Sequence, residues 1–233
     1  IVTEEEVGDA LEQMASEAKK QKLEYIAITD HTRDLAMTGG SDEKKLLRQM
    51  AEIDRINRRT SGIKILKGAE VNIRKDGSLD IADEVLAKLD VVGIAVHSNF
   101  KMSKKDMTAR IVRAMQNPHA DILFHPTGRL IQKREAYEVD MDEVIKEAKK
   151  TGTVLEINAY PERLDLKDTD IRKAKEAGVK MAINSDAHST EHIRYLNYGL
   201  GQARRGWAEK GDIINAWPIE KMLSFLKNRK EHA

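Results

Sequence analysis

The sequence predicts an α/β fold built on a parallel sheet that is buried on both faces. Near-continuous apolar runs, rich in Val and Ile, recur six times along the 233 residues. Between them lie stretches of roughly a dozen residues in which apolar positions return at helical spacing, the pattern of repeated βα units. A sheet of this kind can stay open or close into a barrel, and the periodicity alone leaves both possibilities standing.

The elements follow in order. Thr3 before Glu4, Glu5 and Glu6 predicts an N-cap with acids in the first helical turn, where the helix dipole favours them. Val7, Leu11, Met14 and Ala18 then mark one helix face. "YIAITDH" supplies a strand over Tyr25–Thr29. "SDEKKLLRQMAEIDRINRR" predicts a helix capped by Ser41, and "IKILKGAEVNI" a second strand. A short helix over Ile81–Leu89 precedes a strand over Val91–His97. A helix over Lys104–Met115 precedes a strand over Asp121–His125, and a helix over Met141–Thr151 precedes the strand in "TVLEINA". The helix over Thr169–Ala177 leads to "VKMAINSDAH". From Thr190 to Lys230 the tail predicts helices around a short apolar stretch at Tyr198–Leu200. The four prolines sit at turns, and there is no repeat, low-complexity run or linker, so residues 1–233 are expected to form one domain.

Composition narrows the function classes. A formal charge of +1 points to no partner by bulk charge, so a nucleic-acid surface has to concentrate its basic residues locally. The absence of cysteine excludes disulfides and thiolate metal sites. No apolar run approaches the ~18 residues that span a bilayer, and no signal-peptide pattern is present, so a cytoplasmic protein without a membrane partner is expected. The chain opens on Ile1, already at the mouth of a helix, as a piece of a longer protein would.

The strand ends carry the chemistry. "YIAITDH" ends on His31, "ILKGAE" on Glu70, "VVGIAVH" on His97, "ADILFH" on His125, and "VKMAINSDAH" on Asp186 and His188. Ligands and catalytic groups of α/β folds collect at the carboxyl ends of parallel strands. One histidine beside an apolar strand is usually a hydrogen-bonded structural residue, but the same coincidence on five strands is not. Imidazole and carboxylate without thiolate suit Zn, Mn or Fe. A cluster of such ligands acidifies a bound water and clamps a phosphoryl centre. Arg33 and Arg129 lie close in sequence to His31 and His125, and Lys133, Arg134, Arg204 and Arg205 add positive charge suited to phosphate. Arg129, beside His125 in "HPTGR", is the strongest substrate-binding candidate. His119, His192 and His232 fall in helical or loop contexts and are read as structural.

"ITDH", "GAEV", "VHS", "HPTGR", "LEINA" and "INSDAHS" together resemble the polymerase-and-histidinol-phosphatase (PHP) domain. The resemblance runs from about Glu4 to Phe225. "GRL", "DGSLD" and "GQARRGW" favour the PHP domain found at the C-terminus of bacterial and archaeal family X DNA polymerases. It implies a distorted (β/α)7 barrel with a helical C-terminal tail and two to three divalent ions (Mn, Zn or Fe) at the mouth. In that scheme Glu70 bridges two ions and Asp186 binds the first. His97 and His125 bind the second, and His31 and His188 the third. Glu70, Asp186 and Arg129 would be catalytic, with Arg129, Arg33 and Arg205 on the substrate. The implied activity is metal-dependent phosphoester hydrolysis. In the polymerases this is 3′–5′ exonuclease action on DNA 3′ ends in base excision repair, beside an upstream polymerase domain. A histidinol-phosphatase-like phosphomonoesterase and a non-catalytic scaffold of the polymerase are the alternatives. A C–N-cleaving metal barrel is disfavoured, since no lysine sits at a strand end. The family's first-strand His-x-His motif is absent, so six strands rather than seven are expected, with the first and third metal positions weakened.

Overall fold

A computed structural model describes residues 4–33 and 40–231. The predicted cap at Thr3 and the histidine at 232 lie outside them. The six strands are β1 (Tyr25–Ile28), β2 (Lys64–Asn72), β3 (Val91–Ala95), β4 (Ile122–Leu123), β5 (Val154–Asn158) and β6 (Met181–Asn184). They pair in sequence order, every pair parallel, into one sheet curled as a half-barrel whose edges are β1 and β6.

The helices are α1 (Glu4–Lys20), α2 (Glu43–Arg59), α3 (Asp83–Leu86), α4 (Lys104–Met115), α5 (Met141–Thr151), α6 (Asp168–Ala177), α7 (Leu196–Arg205) and α8 (Ile219–Glu231). Helix α2 shows why they form. Leu46, Met50, Ile53 and Ile56 recur at helical spacing and are the residues it buries. Its cap is Asp42 rather than Ser41, because the Asp42 carboxylate accepts the Lys45 N–H at 2.8 Å. Helices α4 and α5 begin and end where the sequence predicts, behind the caps Ser103 and Asp140. Helix α3 is shorter than expected, and the stretch at Tyr198–Leu200 lies inside α7.

Two apolar layers flank the sheet. Outside, Val71, Ile94, Leu123 and Ile157 pack under the helices with Met107, Ile111 and Val144. Inside the curl, Leu66, Val91, Ile122, Phe124 and Ala182 form one buried cluster with Ile214, Met222 and Leu226, so the tail and α8 close the lower half of the barrel. Fully burying such side chains contributes roughly 1.5–3 kcal/mol each. The C-terminal ends of the strands lie at the other end.

Gly93 of β3 stands opposite Glu70 of β2, and a Cβ there would overlap the Phe124 ring. Gly93→Ala should therefore destabilise the chain by about 1–3 kcal/mol through overpacking. Gly201→Ala, in α7 with nothing within 4 Å of the added methyl, should stabilise it by up to about 1 kcal/mol. Urea unfolding midpoints of the two variants check this, and equal shifts would contradict it.

Candidate metal centre

Glu70 lies two residues before the end of β2, inside its buried run, and is 5% exposed. The chain past β1 bridges to it: Thr32 N–H donates to the Glu70 carbonyl at 3.1 Å, and Glu70 N–H donates to the Asp30 carbonyl at 3.0 Å. This pairing carries His31 to one side of the carboxylate, while β3 and β4 end on its other side. Glu70 Oε1 lies 2.9 Å from His97 Nε2 and 2.8 Å from His125 Nε2, and Oε2 lies 3.5 Å from His31 Nδ1. The His31 and His97 rings meet edge-on at 5.0 Å, and those of His97 and His125 at 5.2 Å.

Burial pushes the Glu70 carboxyl up, but the hydrogen bonds and charges of His125 and His97 outweigh it and hold the group well below the usual range. Burial holds His97 below the ordinary histidine value. It pulls on His125 too, but there the Glu70 hydrogen bond and charge win and the ring is raised.

The donor set fits a divalent ion. One ligand atom each from His31, Glu70 and His97 lie within 4.8 Å of one another. His31 Nδ1 is buried without a hydrogen-bond partner, although it faces the carboxylate. A lone pair left so in a polar pocket is what a cation needs.

Asp186 and His188 follow β6 and form a second, more exposed group. Asp186 Oδ2 accepts from Asn158 Nδ2 and from Arg163 Nε, both at 3.1 Å. His188 Nδ1 lies 2.8 Å from the Asp186 carbonyl and donates to it, which leaves Nε2 free as a ligand atom. His31, Glu70, His125, Asp186 and His188 all line one groove of about 1100 Å³ that also runs along α1 and down to α8, whereas His97 does not line it. The backbone turns sharply at two of these positions, with φ 30° at His125 and 52° at Asp186, a left-handed geometry that costs energy and clusters at functional sites.

The arginines are arranged otherwise than their sequence positions suggest. Arg129 donates to the carbonyls of Arg163, at 2.8 Å, and Leu164. Exposed Arg33 pairs with Glu43, and Arg205 with Asp168 at 3.1 Å. Lys133 pairs with Glu162 at 2.6 Å, and Arg134 stacks over Phe100 at 4.3 Å. The arginine that meets the site is Arg163.

Known proteins place the chain. It is 41% identical over 218 residues to the DNA polymerase/3′-5′ exonuclease PolX of Bacillus subtilis, a match that covers 94% of this chain and 38% of that protein. It is 30% identical over 226 residues to a probable phosphatase of Thermoanaerobacter sp. (strain X514), covering 93% and 87% of the two chains. A probable phosphatase of Caldicellulosiruptor bescii is 32% identical over 225 residues, covering 93% and 88%. The chain belongs to the PHP family. No family model matches it. Its fold is also that of histidinol phosphate phosphatase from Lactococcus lactis, solved with zinc, L-histidinol and phosphate, with a TM-score of 0.58 at 13% identity over 85% of this chain and 88% of that one. The chain spans little more than a third of the length of PolX.

Sequence reasoning passed over three residues of this PHP domain. Arg163 lies 23 positions from Asp186 and beside no strand-end histidine, so nothing along the chain marks it. Glu156 and Asn158, inside the quoted "LEINA", alternate on one face of β5. Glu156, 2% exposed, accepts from His125 N–H at 2.6 Å and Asn184 Nδ2 at 2.8 Å. Burial pushes its carboxyl up to about 7.

The unfolded chain gives up the Glu156 proton near pH ~4.3, whereas the folded chain keeps it to about pH 7. Folded stability is therefore lost as pH rises through that window. The raised His125 acts in the same sense: its contribution is present below pH ~6.5 and is lost as pH rises through the folded value. The lowered His97 opposes them, since its contribution is lost as pH falls. The thermal midpoint of the metal-free chain should fall from pH 6 to pH 8, and Glu156→Gln should flatten the slope. Added zinc should raise the midpoint more at pH 8 than at pH 6, because the ligands must be deprotonated. A midpoint that rises with pH without metal would contradict these assignments.

Proposed function

We propose that this PHP domain is a metal-dependent phosphoester hydrolase that removes nucleotides from DNA 3′ ends. One observation carries the chemistry: three imidazoles from separate strand ends converge on a single buried carboxylate at the open end of the barrel. Similarity to PolX along nearly the whole chain supports DNA as the substrate and a polymerase core as the natural neighbour. When bound, divalent ions supply an acidified water and positive charge for the phosphoryl oxygens. Zinc in the Lactococcus lactis enzyme supports that metal among the candidates zinc, manganese and iron.

The chain's own residues divide the work. Glu70 would bridge ions, with His97 and His125 on one side and His31 on the other. Asp186 and His188 would hold the more open position. Arg163 keeps Asp186 in place through Nε, and its Nη1 is buried without a partner, a donor suited to a phosphate oxygen. Arg129 would act one step back, bracing the segment that carries Arg163 through two carbonyls. Beside His188, next to the groove rather than lining it, stands a cluster of aromatic rings. Tyr160 meets His188 at 6.2 Å and Tyr195 at 5.4 Å, and half-exposed Tyr198 follows at 5.9 Å from Tyr195. Rings of this kind accept a stacked nucleobase.

The phosphatase relatives, which match over most of their length, support a second reading with a small phosphomonoester as substrate. A 3′-labelled oligonucleotide and p-nitrophenyl phosphate, each assayed with manganese, separate the two. Stepwise shortening of the oligonucleotide is expected, and hydrolysis of the small ester alone would favour the second reading. Glu70→Ala should abolish metal binding and lower hydrolysis by more than about 100-fold, beyond the 10–100-fold typical of outer-shell changes. Arg163→Met and Arg129→Ala should spare metal content and weaken activity on either substrate. Full activity in Glu70→Ala, or metal loss in Arg129→Ala, would sink those roles.

A further inference from the structure

The "DGSLD" turn brings a buried carboxylate, Asp80, behind the candidate ligand His97, with Asn72 between them. Asp80 is 3% exposed and Asn72 5%. Asp80 grips Asn72 twice: Oδ1 accepts the Asn72 backbone N–H at 3.0 Å, and Oδ2 accepts the side-chain Nδ2 at 2.7 Å. Thr32, fully buried, donates its hydroxyl to Asp80 Oδ1 at 2.7 Å, and its carbonyl lies 3.3 Å from Asn72 Nδ2. The Thr32 hydroxyl oxygen, 3.2 Å from Nδ2, spends its own proton on Asp80, so every group around Nδ2 accepts. A flipped amide would set its oxygen against the Asp80 carboxylate and the Thr32 carbonyl, so the amide has one orientation.

That orientation reaches His97. Asn72 Oδ1 lies 2.5 Å from His97 Nδ1. An amide oxygen only accepts, so Nδ1 must carry the hydrogen. The lone pair of a neutral ring then falls on Nε2, which faces Glu70 Oε1 at 2.9 Å. Two acceptors at that separation need a cation between them, a proton when the chain is metal-free and a divalent ion when it is loaded. No such device serves His125, whose Nδ1 is buried without a partner.

We propose that Asp80 and Asn72 are positioning residues that lock His97 in the Nδ1–H tautomer and so present Nε2 to a divalent ion. The inference rests on reading His97 as a metal ligand. Ligating histidines commonly donate their second nitrogen to a carboxylate or carbonyl. Here the carboxylate works at one remove, by orienting the amide that orients the ring.

The test is Asp80→Asn. This variant keeps an oxygen for the Asn72 N–H and the Thr32 hydroxyl but puts an NH2 where Asn72 Nδ2 donates. The Asn72 amide should then turn over, offer its NH2 to His97 Nδ1, and move the ring proton to Nε2. Zinc affinity, measured by competition with a chromophoric chelator, should fall roughly 10–100-fold. Long-range 1H–15N spectra of the metal-free chain should show His97 Nδ1 protonated in the wild type and unprotonated, with the hydrogen on Nε2 alone, in Asp80→Asn. The double variant Asn72→Asp with Asp80→Asn restores an acceptor toward both partners, and it should recover most of the affinity and the Nδ1–H form. A merely structural role for Asp80 would predict neither the tautomer change nor the rescue.

Wild-type zinc affinity in Asp80→Asn, or failure of the double variant to recover, would overturn the proposal. So would a wild-type His97 ring with its hydrogen on Nε2 and none on Nδ1, an outcome that needs no variant to fold. A wild-type chain that binds no zinc would overturn the metal reading itself, and is told apart because the tautomer is read without metal.

Discussion

The open end of this half-barrel is organised around one unfavourable act, the burial of the Glu70 carboxylate. A buried carboxylate without partners is too costly to keep ionised, so the surroundings must supply opposite charge and hydrogen bonds. Strand order does this with little freedom to spare. Glu70 sits on β2, so His31, on the chain past β1, reaches it from one edge, while His97 and His125, past β3 and β4, reach it from the other. Gly93 lies opposite Glu70 and leaves room for the Phe124 ring just before His125. Changing the order of these four chain segments would disperse the imidazoles, whatever the sequence of each.

The architecture was legible in the sequence because it rests on periodicity. A parallel sheet buried on both faces leaves continuous apolar runs, and helices α4 and α5 announce both ends with a capping side chain and a spent apolar stripe. The candidate ligands were legible for a related reason, since each is a polar residue at a point where an apolar run stops. What stayed hidden depends on distance through space. Ser41 and Asp42 are both good caps, and only the reach to Lys45 N–H selects Asp42. Arg129 is near His125 in sequence but turns to backbone carbonyls, while Arg163 arrives from another loop. The orientation of the Asn72 amide depends on three segments at once and has no signature along the chain.

The two halves of the groove differ in the way their chemistry requires. His125 and Glu70 are nearly inaccessible, a setting in which ions bind tightly and exchange slowly with solvent. His188 keeps 61% of its side chain exposed, beside an Asp186 that is 16% exposed and shared with Arg163. A substrate oxygen can approach only where ligands leave an open position. On the proposed function the exposed half, beside Arg163, would be that side: the buried half would hold the ions and the open half would admit the ester.

Behind the ligands stands a second layer of buried acids, each holding a ligand-bearing segment by its backbone. Asp80 accepts from Asn72 N–H, Glu156 from His125 N–H, and Asp165 from the N–H groups of Thr127 and Gly128. They are 3%, 2% and fully buried. Neutral side chains could accept the same hydrogen bonds without the desolvation penalty of an ion, several kcal/mol each. Burial raises Glu156 and Asp165 above their ordinary values, against the pull of His125 on both and of Arg129 on Asp165. Divalent cations at the mouth would favour the ionised carboxylates that burial disfavours, so an arrangement unfavourable in the metal-free chain becomes a source of affinity in the loaded one. On this account the acids in the second layer are retained for their charge as well as their geometry. The stability they cost the empty barrel is returned through linkage when metal binds the folded chain and not the unfolded one.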